Sequence, residues 1–191
     1  MKRIALFASG SGTNAENIIF FARKTKAFEI TKIYCNKASA GIIQRGQSLD
    51  VPVVVFSRNC FYNTSVIVDD LKKDGVDAVI LAGFLWLIPN NLLEAFENKI
   101  INIHPALLPK FGGKGMYGAK VHEAVIAQKE SESGITIHLV NQEYDRGETL
   151  FQAKCEVLPT DTPDSLAQKV HALEYEHFPA IISQFIQTIA D

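Results

Sequence analysis

Two uninterrupted apolar runs, Ile-Ala-Leu-Phe-Ala at 4–8 and Ala-Val-Ile-Leu-Ala at 78–82, each lead into a glycine-bearing turn. A strand with one wet face alternates apolar and polar residues. A run without polar breaks is what a strand covered on both faces shows, as in a parallel sheet flanked by helices. Further strands are expected at 30–35, 51–56 and 100–104. Helical spacing fills the intervals: 14–26 with apolar Ile18, Ile19, Phe21 and Ala22, then 40–49, 66–73, and 89–96 with Pro89 opening the helix. Strand, turn and helix in repetition imply an α/β fold, an open, mostly parallel twisted sheet with helices on both faces. Such sheets bind ligands at the carboxyl edge of their strands. The connections after Ala8, Ala82 and Ile103 are therefore expected to share one site.

The second half has a different texture. Residues 105–118 read as a long loop rich in glycine and proline, and 119–128 as a helix. The stretch 134–140 alternates, and 150–157 is its expected partner, an antiparallel C-terminal strand pair. The last helix begins at Thr162-Pro163-Asp164-Ser165, where Thr162 caps, Pro163 takes the first position and Asp164 faces the positive end of the dipole. It runs towards Ala190, with a bend expected at Pro179. No linker-like tract or internal repeat divides the chain, so a single domain over 1–191 is expected.

Composition excludes several classes of function. A chain that is 47% hydrophobic and 21% charged is a soluble globular protein, and a formal charge of −2 without any basic run argues against a nucleic-acid binder. Cys35, Cys60 and Cys155 are isolated, odd in number and outside C-x-x-C spacing. Neither disulfides nor a structural zinc are expected, and a reducing cytoplasm fits. No apolar run approaches membrane-spanning length, and the N-terminal run is too short for a secretory signal.

Ser9-Gly10-Ser11-Gly12-Thr13-Asn14 joins the first strand to the first helix. Small residues let the backbone approach a phosphate, and free N–H groups at a helix N-terminus hold the anion. The plainer alternative is a tight turn with Thr13 as the helix cap and Glu16 as its box partner. A dinucleotide suits the loop less well. Ala15 is acceptable at the third position of G-x-G-x-x-G, but the second strand ends in Cys35-Asn36-Lys37, with no carboxylate for a ribose diol. No Gly-Lys-Ser/Thr follows either, and a monophosphate fits best.

Asn102-Ile103-His104-Pro105 closes the strand at 100–104. Residues i and i+2 share a face, so Asn102 and His104 project together, and Pro105 ends the pairing. Asp145 lies in the turn Glu143-Tyr144-Asp145-Arg146-Gly147. A carboxylate brought near His104 would orient the ring and favour its protonated form. Thr136 and His138, on one face of the preceding strand, are candidates to organise water or an oxyanion. An amide, an imidazole and a carboxylate together can hold a carbonyl oxygen and move a proton, the equipment of acyl transfer. Each residue taken alone also has a bland reading: Asn-x-His as a structural strand end, Asp145 as a turn residue, His122 and His177 as surface or helix-packing residues. A metal hydrolase built on His104, His138 and Asp145 is a more distant alternative.

The longer pattern resembles a family, the folate-dependent phosphoribosylglycinamide formyltransferases. The resemblance rests on Ser9-Gly10-Ser11-Gly12-Thr13-Asn14, Asn36-Lys37-Ala38, Leu81-Ala82-Gly83-Phe84, the run from Asn102 to Lys110, Gly134-Ile135-Thr136-Ile137-His138, Asp145-Arg146-Gly147 and Glu174. These occur in the family's order and spacing over nearly the whole chain. The resemblance implies a Rossmann-like formyltransferase fold and a catalytic trio of Asn102, His104 and Asp145. It implies a phosphate turn made by the backbone of Gly12, Thr13, Asn14, Ala15 and Glu16. It makes Glu174 the acid that contacts the glycinamide end. His171, one helical turn earlier, is our own candidate for reaching the phosphate. Leu85, Trp86, Leu87 and Ile88, with Asn102, would hold the folate.

The implied reaction moves a formyl group from 10-formyltetrahydrofolate to phosphoribosylglycinamide in purine biosynthesis. The implied partners are small molecules only, without metal, nucleic acid or membrane, and the protein is a monomer or a homodimer. Two features depart from the bacterial members. Trp86 and Thr64 stand where those carry basic residues, with Arg58 the candidate replacement. The loop 111–118 is longer and richer in glycine than theirs and is expected to move as a lid. The same trio would also serve a formyltetrahydrofolate hydrolase, whose members carry an extra N-terminal domain. Methionyl-tRNA formyltransferases carry an extra C-terminal one, and the sequence shows neither. A non-catalytic phospho-ligand or folate-binding module is the reading from a different class.

Overall fold

The computed structural model describes residues 1–190, and its sheet has seven strands in the order β3-β2-β1-β4-β5-β6-β7. The two unbroken apolar runs, β1 (Arg3–Ala8) and β4 (Ala78–Leu81), lie side by side at its centre. β2 (Glu29–Cys35), β3 (Val53–Val55) and β5 (Ile100–His104) extend the parallel part, and β6 (Glu132–Leu139) and β7 (Thr149–Glu156) add the antiparallel pair. Alternation along β1 divides the core. Ile4, Leu6 and Ala8 join the cluster under α1 (Thr13–Thr25), α6 (Ala119–Ala127) and α7 (Pro163–Thr188). Ala5 and Phe7 join the cluster under α3 (Arg58–Asn63), α4 (Val66–Lys73) and α5 (Asn90–Ala95), where Phe7 stacks on Tyr34 at 4.8 Å. α2 (Ile42–Ser48) completes the helices, none of which, among the described residues, is long and apolar enough to cross a membrane.

The elements differ from expectation at their edges. β3 is confined to Val53–Val55, because Pro52 has no N–H to pair and offers only its carbonyl, to Ile33. α2 starts two residues late, at Ile42. Pro89 is extended and precedes α5 instead of opening it. α3 has no counterpart in the sequence reading: six residues carry too little periodicity, although Ser57 caps it by accepting the Cys60 N–H at 3.2 Å.

α7 opens as expected, with Thr162 and Ser165 in a reciprocal capping box and Pro163 in the first turn, and then continues through Pro179 as one helix. A proline inside a helix strands the carbonyl four residues back. Here Asn17 on α1 donates its side-chain N–H to that carbonyl, Tyr175 O, at 2.9 Å. The proline's defect thereby becomes a bond between α1 and α7.

At the carboxyl edge, the turns after β1 and β4 are locked together. Ser9 N–H donates to Gly83 O, and Leu85 N–H donates to Ser9 Oγ, both at 3.0 Å. The segment 105–118 carries neither helix nor strand.

Candidate active site

A cavity of about 580 Å³ opens at this edge and is bordered by the turns after β1 and β4, the end of β5, the loop before α6, and α7. One end is main chain. Gly12 is the N-cap of α1 with φ 80°, and no side chain caps the helix. Thr13 is the first helical residue, and Glu16 is paired with Arg45, so the alternative Thr13/Glu16 box does not form. Arg45 Nε also donates to Ser11 O at 2.8 Å and braces the turn from outside. The first N–H groups of a thirteen-residue helix thus lack a side-chain acceptor where Gly12, Thr13 and Asn14 line the cavity. Ala15 is buried, Glu16 turns to Arg45, and neither lines it.

Glu174 enters this end from α7, buried, and accepts from Asn14 Nδ2 at 2.8 Å. Burial pushes its carboxyl above the usual range, against the opposing pull of Asn14 and His171. His171 borders the same end from the exposed side of α7.

The other end is built from side chains. The β5–β6 register sets Asn102 opposite His138 and His104 opposite Thr136, so the four share one face. His138 Nδ1 lies 2.8 Å from Leu139 O, which keeps the ring proton on Nδ1. Its Nε2 is then an acceptor and takes an N–H from Asn102 Nδ2 at 3.1 Å. A carboxamide has two N–H bonds, and the second is left for the cavity. His104 donates Nε2–H to Phe111 O at 2.8 Å, so its Nδ1 is the free ring nitrogen, 3.6 Å from Asp145 Oδ2. Asp145 itself has φ 55°, accepts the Gly113 N–H at 2.9 Å, and sets its other oxygen 3.6 Å from His138 Nε2. The long loop is therefore tied at both Phe111 and Gly113 to the groups it covers.

The electrostatics correct one expectation. Asp145 does not make His104 basic on balance. The imidazole is 4% exposed, and burial, which disfavours its charged form, outweighs the carboxylate and the Phe111 carbonyl, so its pKa lies below the ordinary value. Burial works to raise the Asp145 carboxyl, but the flanking imidazoles of His138 and His104, in their protonated forms, and the Gly113 N–H together hold it below the usual carboxylate range. The resting pair is a neutral imidazole beside a carboxylate.

Thr136 is corrected too. Its hydroxyl donates to Ala106 O and accepts from Leu108 N and Gln152 Nε2, at 2.7, 3.0 and 2.9 Å. It is fully enclosed and anchors the segment after His104, with nothing left for water or an oxyanion.

Leu85, Trp86, Leu87 and Ile88 line the cavity after β4. Leu87 O accepts from Tyr62 OH at 3.0 Å, and Trp86 packs 5.8 Å from Phe61 and 6.0 Å from Phe56 and Tyr62. Arg58 lies over Tyr62 at 4.9 Å and over Trp86 at 5.5 Å, so a cation does stand beside Trp86. Thr64 turns inward to Cys60 O. His177 packs on Phe151 at 5.0 Å, away from the cavity. Among the described residues no group of three or more His, Cys, Asp or Glu is arranged to hold a metal ion. The sequence reading missed Met116, Tyr144 and His122 as wall residues. His122 left one signal, its place on the apolar stripe of α6 with Val125.

The fold is that of solved formyl-transferring proteins. The structure matches the crystal structure of glycinamide ribonucleotide transformylase 1 from Geobacillus kaustophilus with a TM-score of 0.88, 34% identity, and coverage of 97% of this chain and 99% of that one. Residues 2–182 match the formyl transferase family, and the chain belongs to it. It is 32% identical to phosphoribosylglycinamide formyltransferase of Bacillus subtilis, over 97% of this chain and 95% of that protein. It is 41% identical to the chloroplastic phosphoribosylglycinamide formyltransferase of Arabidopsis thaliana, over 95% of this chain, and spans 64% of that protein's length.

Proposed function

We propose that this chain transfers a formyl group from 10-formyltetrahydrofolate to the amine of 5'-phosphoribosylglycinamide, giving the N-formyl product and tetrahydrofolate in de novo purine biosynthesis. One observation carries the reading: a single cavity borders both an uncapped helix N-terminus and the set Asn102, His104 and Asp145. The turn at Gly12–Asn14 would hold the phosphate, with His171 beside it. Glu174, bonded to Asn14 at the phosphate end, would contact the body of the substrate next to the phosphate and not the glycinamide end that the resemblance implies, and the remote anchor would hold the amine against the reacting carbon. The apolar wall of Leu85–Ile88 suits a flat ring, and the folate supplies the formyl carbon.

Asn102 gives its second N–H to the developing oxyanion, and one well-placed donor contributes about 3 kcal/mol. Neutral His104 accepts at Nδ1 the proton that the amine sheds and returns it to the departing nitrogen. Ionised Asp145 stabilises the imidazolium in between. His138 is a positioning residue that sets which end of the Asn102 amide faces the reaction. No metal takes part. We assign the activity to one domain, 1–191, working in a reducing cytoplasm as a monomer or homodimer on small molecules alone.

A hydrolase would use the same trio with water in place of the amine, but would leave the anion turn without a task. The test is a spectrophotometric assay with 10-formyltetrahydrofolate, with and without the ribonucleotide. Turnover that requires the ribonucleotide is expected. Equal turnover without it would establish the hydrolase, and no turnover with both substrates would leave a binding module.

A further inference from the structure

His122 lies on α6 between Val121 and Glu123 and is 3% exposed. Its ring makes no hydrogen bond within the protein, and Nδ1 is enclosed without a partner. Nε2 is the ring nitrogen that reaches the cavity, which His122 lines. Buried polar groups are hydrogen-bonded as a rule, and a residue needed only for packing here could be a leucine. The same cavity wall carries His171 on the anion side and His104 on the reactive side, both near enough to act on the His122 charge. In a ligand whose phosphate lies at one end and whose amine lies at the other, the part between them is the sugar ring.

The charge state narrows the partner further. Burial, together with His171 and His104, pushes the His122 imidazole down to about 4, so the ring is neutral at ordinary pH. A neutral imidazole is a poor match for a phosphate. It is a good match for a hydroxyl, which both gives and accepts a hydrogen bond.

Resting on the substrate reading above, we infer that His122 is a substrate-positioning residue that hydrogen-bonds a sugar hydroxyl through Nε2. The experiment is calorimetry on the full chain with the ribonucleotide, its 2'-deoxy and 3'-deoxy analogues, and inorganic phosphate. For the unmodified protein, one deoxy analogue should bind about three- to tenfold more weakly than the parent, the scale of one neutral hydrogen bond. His122→Leu should weaken the parent by a similar factor and abolish the discrimination, raise KM with kcat nearly unchanged, and leave phosphate binding intact. His122→Gln, which returns a polar atom near the Nε2 position, should restore much of the discrimination.

A ratio of parent to deoxy affinity in His122→Leu equal to that of the unmodified protein would overturn the inference. Should that variant not fold, ¹⁵N resonances of the unmodified protein decide: the parent should move the His122 ring nitrogens and the discriminated deoxy analogue should not. Equal shifts with both would overturn it. Binding of phosphate but not of the ribonucleotide would overturn the substrate reading, and this inference with it.

Discussion

The two ends of the cavity are made of different material. At the Gly12 end, the ligating groups are backbone N–H bonds at a helix start, held by a left-handed glycine and braced by Arg45. Ionisable side chains stand only at its margin, in Glu174, whose carboxyl burial raises, and in His171. At the His104 end, every working group is a side chain, drawn from β5, β6 and a turn, and each is set by a neighbour: Asn102 by His138, His138 by Leu139 O, His104 by Phe111 O. A main-chain site binds an anion with little tuning. A side-chain site of this kind has protonation states that depend on burial, and so can do chemistry. Affinity therefore falls mainly to the first end and rate mainly to the second.

Substitutions that separate the two parameters test that division. Asn102→Ala removes the oxyanion donor and should lower kcat about 10²–10³-fold with little change in ribonucleotide KM; a comparable change in KM would break the division. Asp145→Asn should lower kcat by about tenfold or more, since one pKa unit of lost imidazolium stabilisation is tenfold. Asparagine tolerates the φ of 55° and can still accept the Gly113 N–H, so the melting temperature should hardly move. Equal losses of stability and rate would return Asp145 to a structural role. The same variant removes a charge that raises the His104 pKa, so the acid limb of the pH–rate profile, already expected below pH 6.5, should move to lower pH.

Gly12→Ala strikes the other end. Its Cβ would lie 2.9 Å from the Ile42 Cα, at a φ of 80° that disfavours side chains. The turn must shift to relieve the overlap and its N–H groups lose their aim, so ribonucleotide Kd should rise about tenfold or more, the scale of one lost hydrogen bond to a charged group, with kcat at saturation preserved. The smallest effect is on stability. His122 is neutral when folded down to about pH 4, while unfolded histidine takes its proton near 6.5. Its contribution is intact above pH 6.5 and is lost as pH falls from there towards 4. His122→Gln should flatten acid destabilisation across that window in calorimetric scans, and an unchanged slope would contradict the burial argument.

The difference between the ends also explains what was legible in the sequence. The central strands announced themselves because double-sided burial leaves unbroken apolar runs, and Asn102 and His104 fell together because a strand has a period of two. The Gly12 turn was visible as a motif because a backbone site needs only small residues in a row. Asp145 offers only its place in a turn as a local signal, and the resemblance is what joins it to Asn102 and His104. The direction of the His104 shift was not legible, because burial of an imidazole belongs to the assembled loop and sheet. The enclosure of Thr136 is hidden for a related reason: its partners at Ala106, Leu108 and Gln152 meet it only in the fold. His122 is not legible because an imidazole on an apolar stripe is, in sequence, indistinguishable from packing.

His104 is where the division of labour is most exposed. The direct measurement is ribonucleotide Kd by calorimetry alongside the single-turnover rate of formyl transfer, for the unmodified chain and for His104→Ala. The rate should fall by about 10²–10⁴-fold with Kd changed less than about threefold. Loss of affinity in step with rate, or a rate like that of the unmodified chain, would contradict that division.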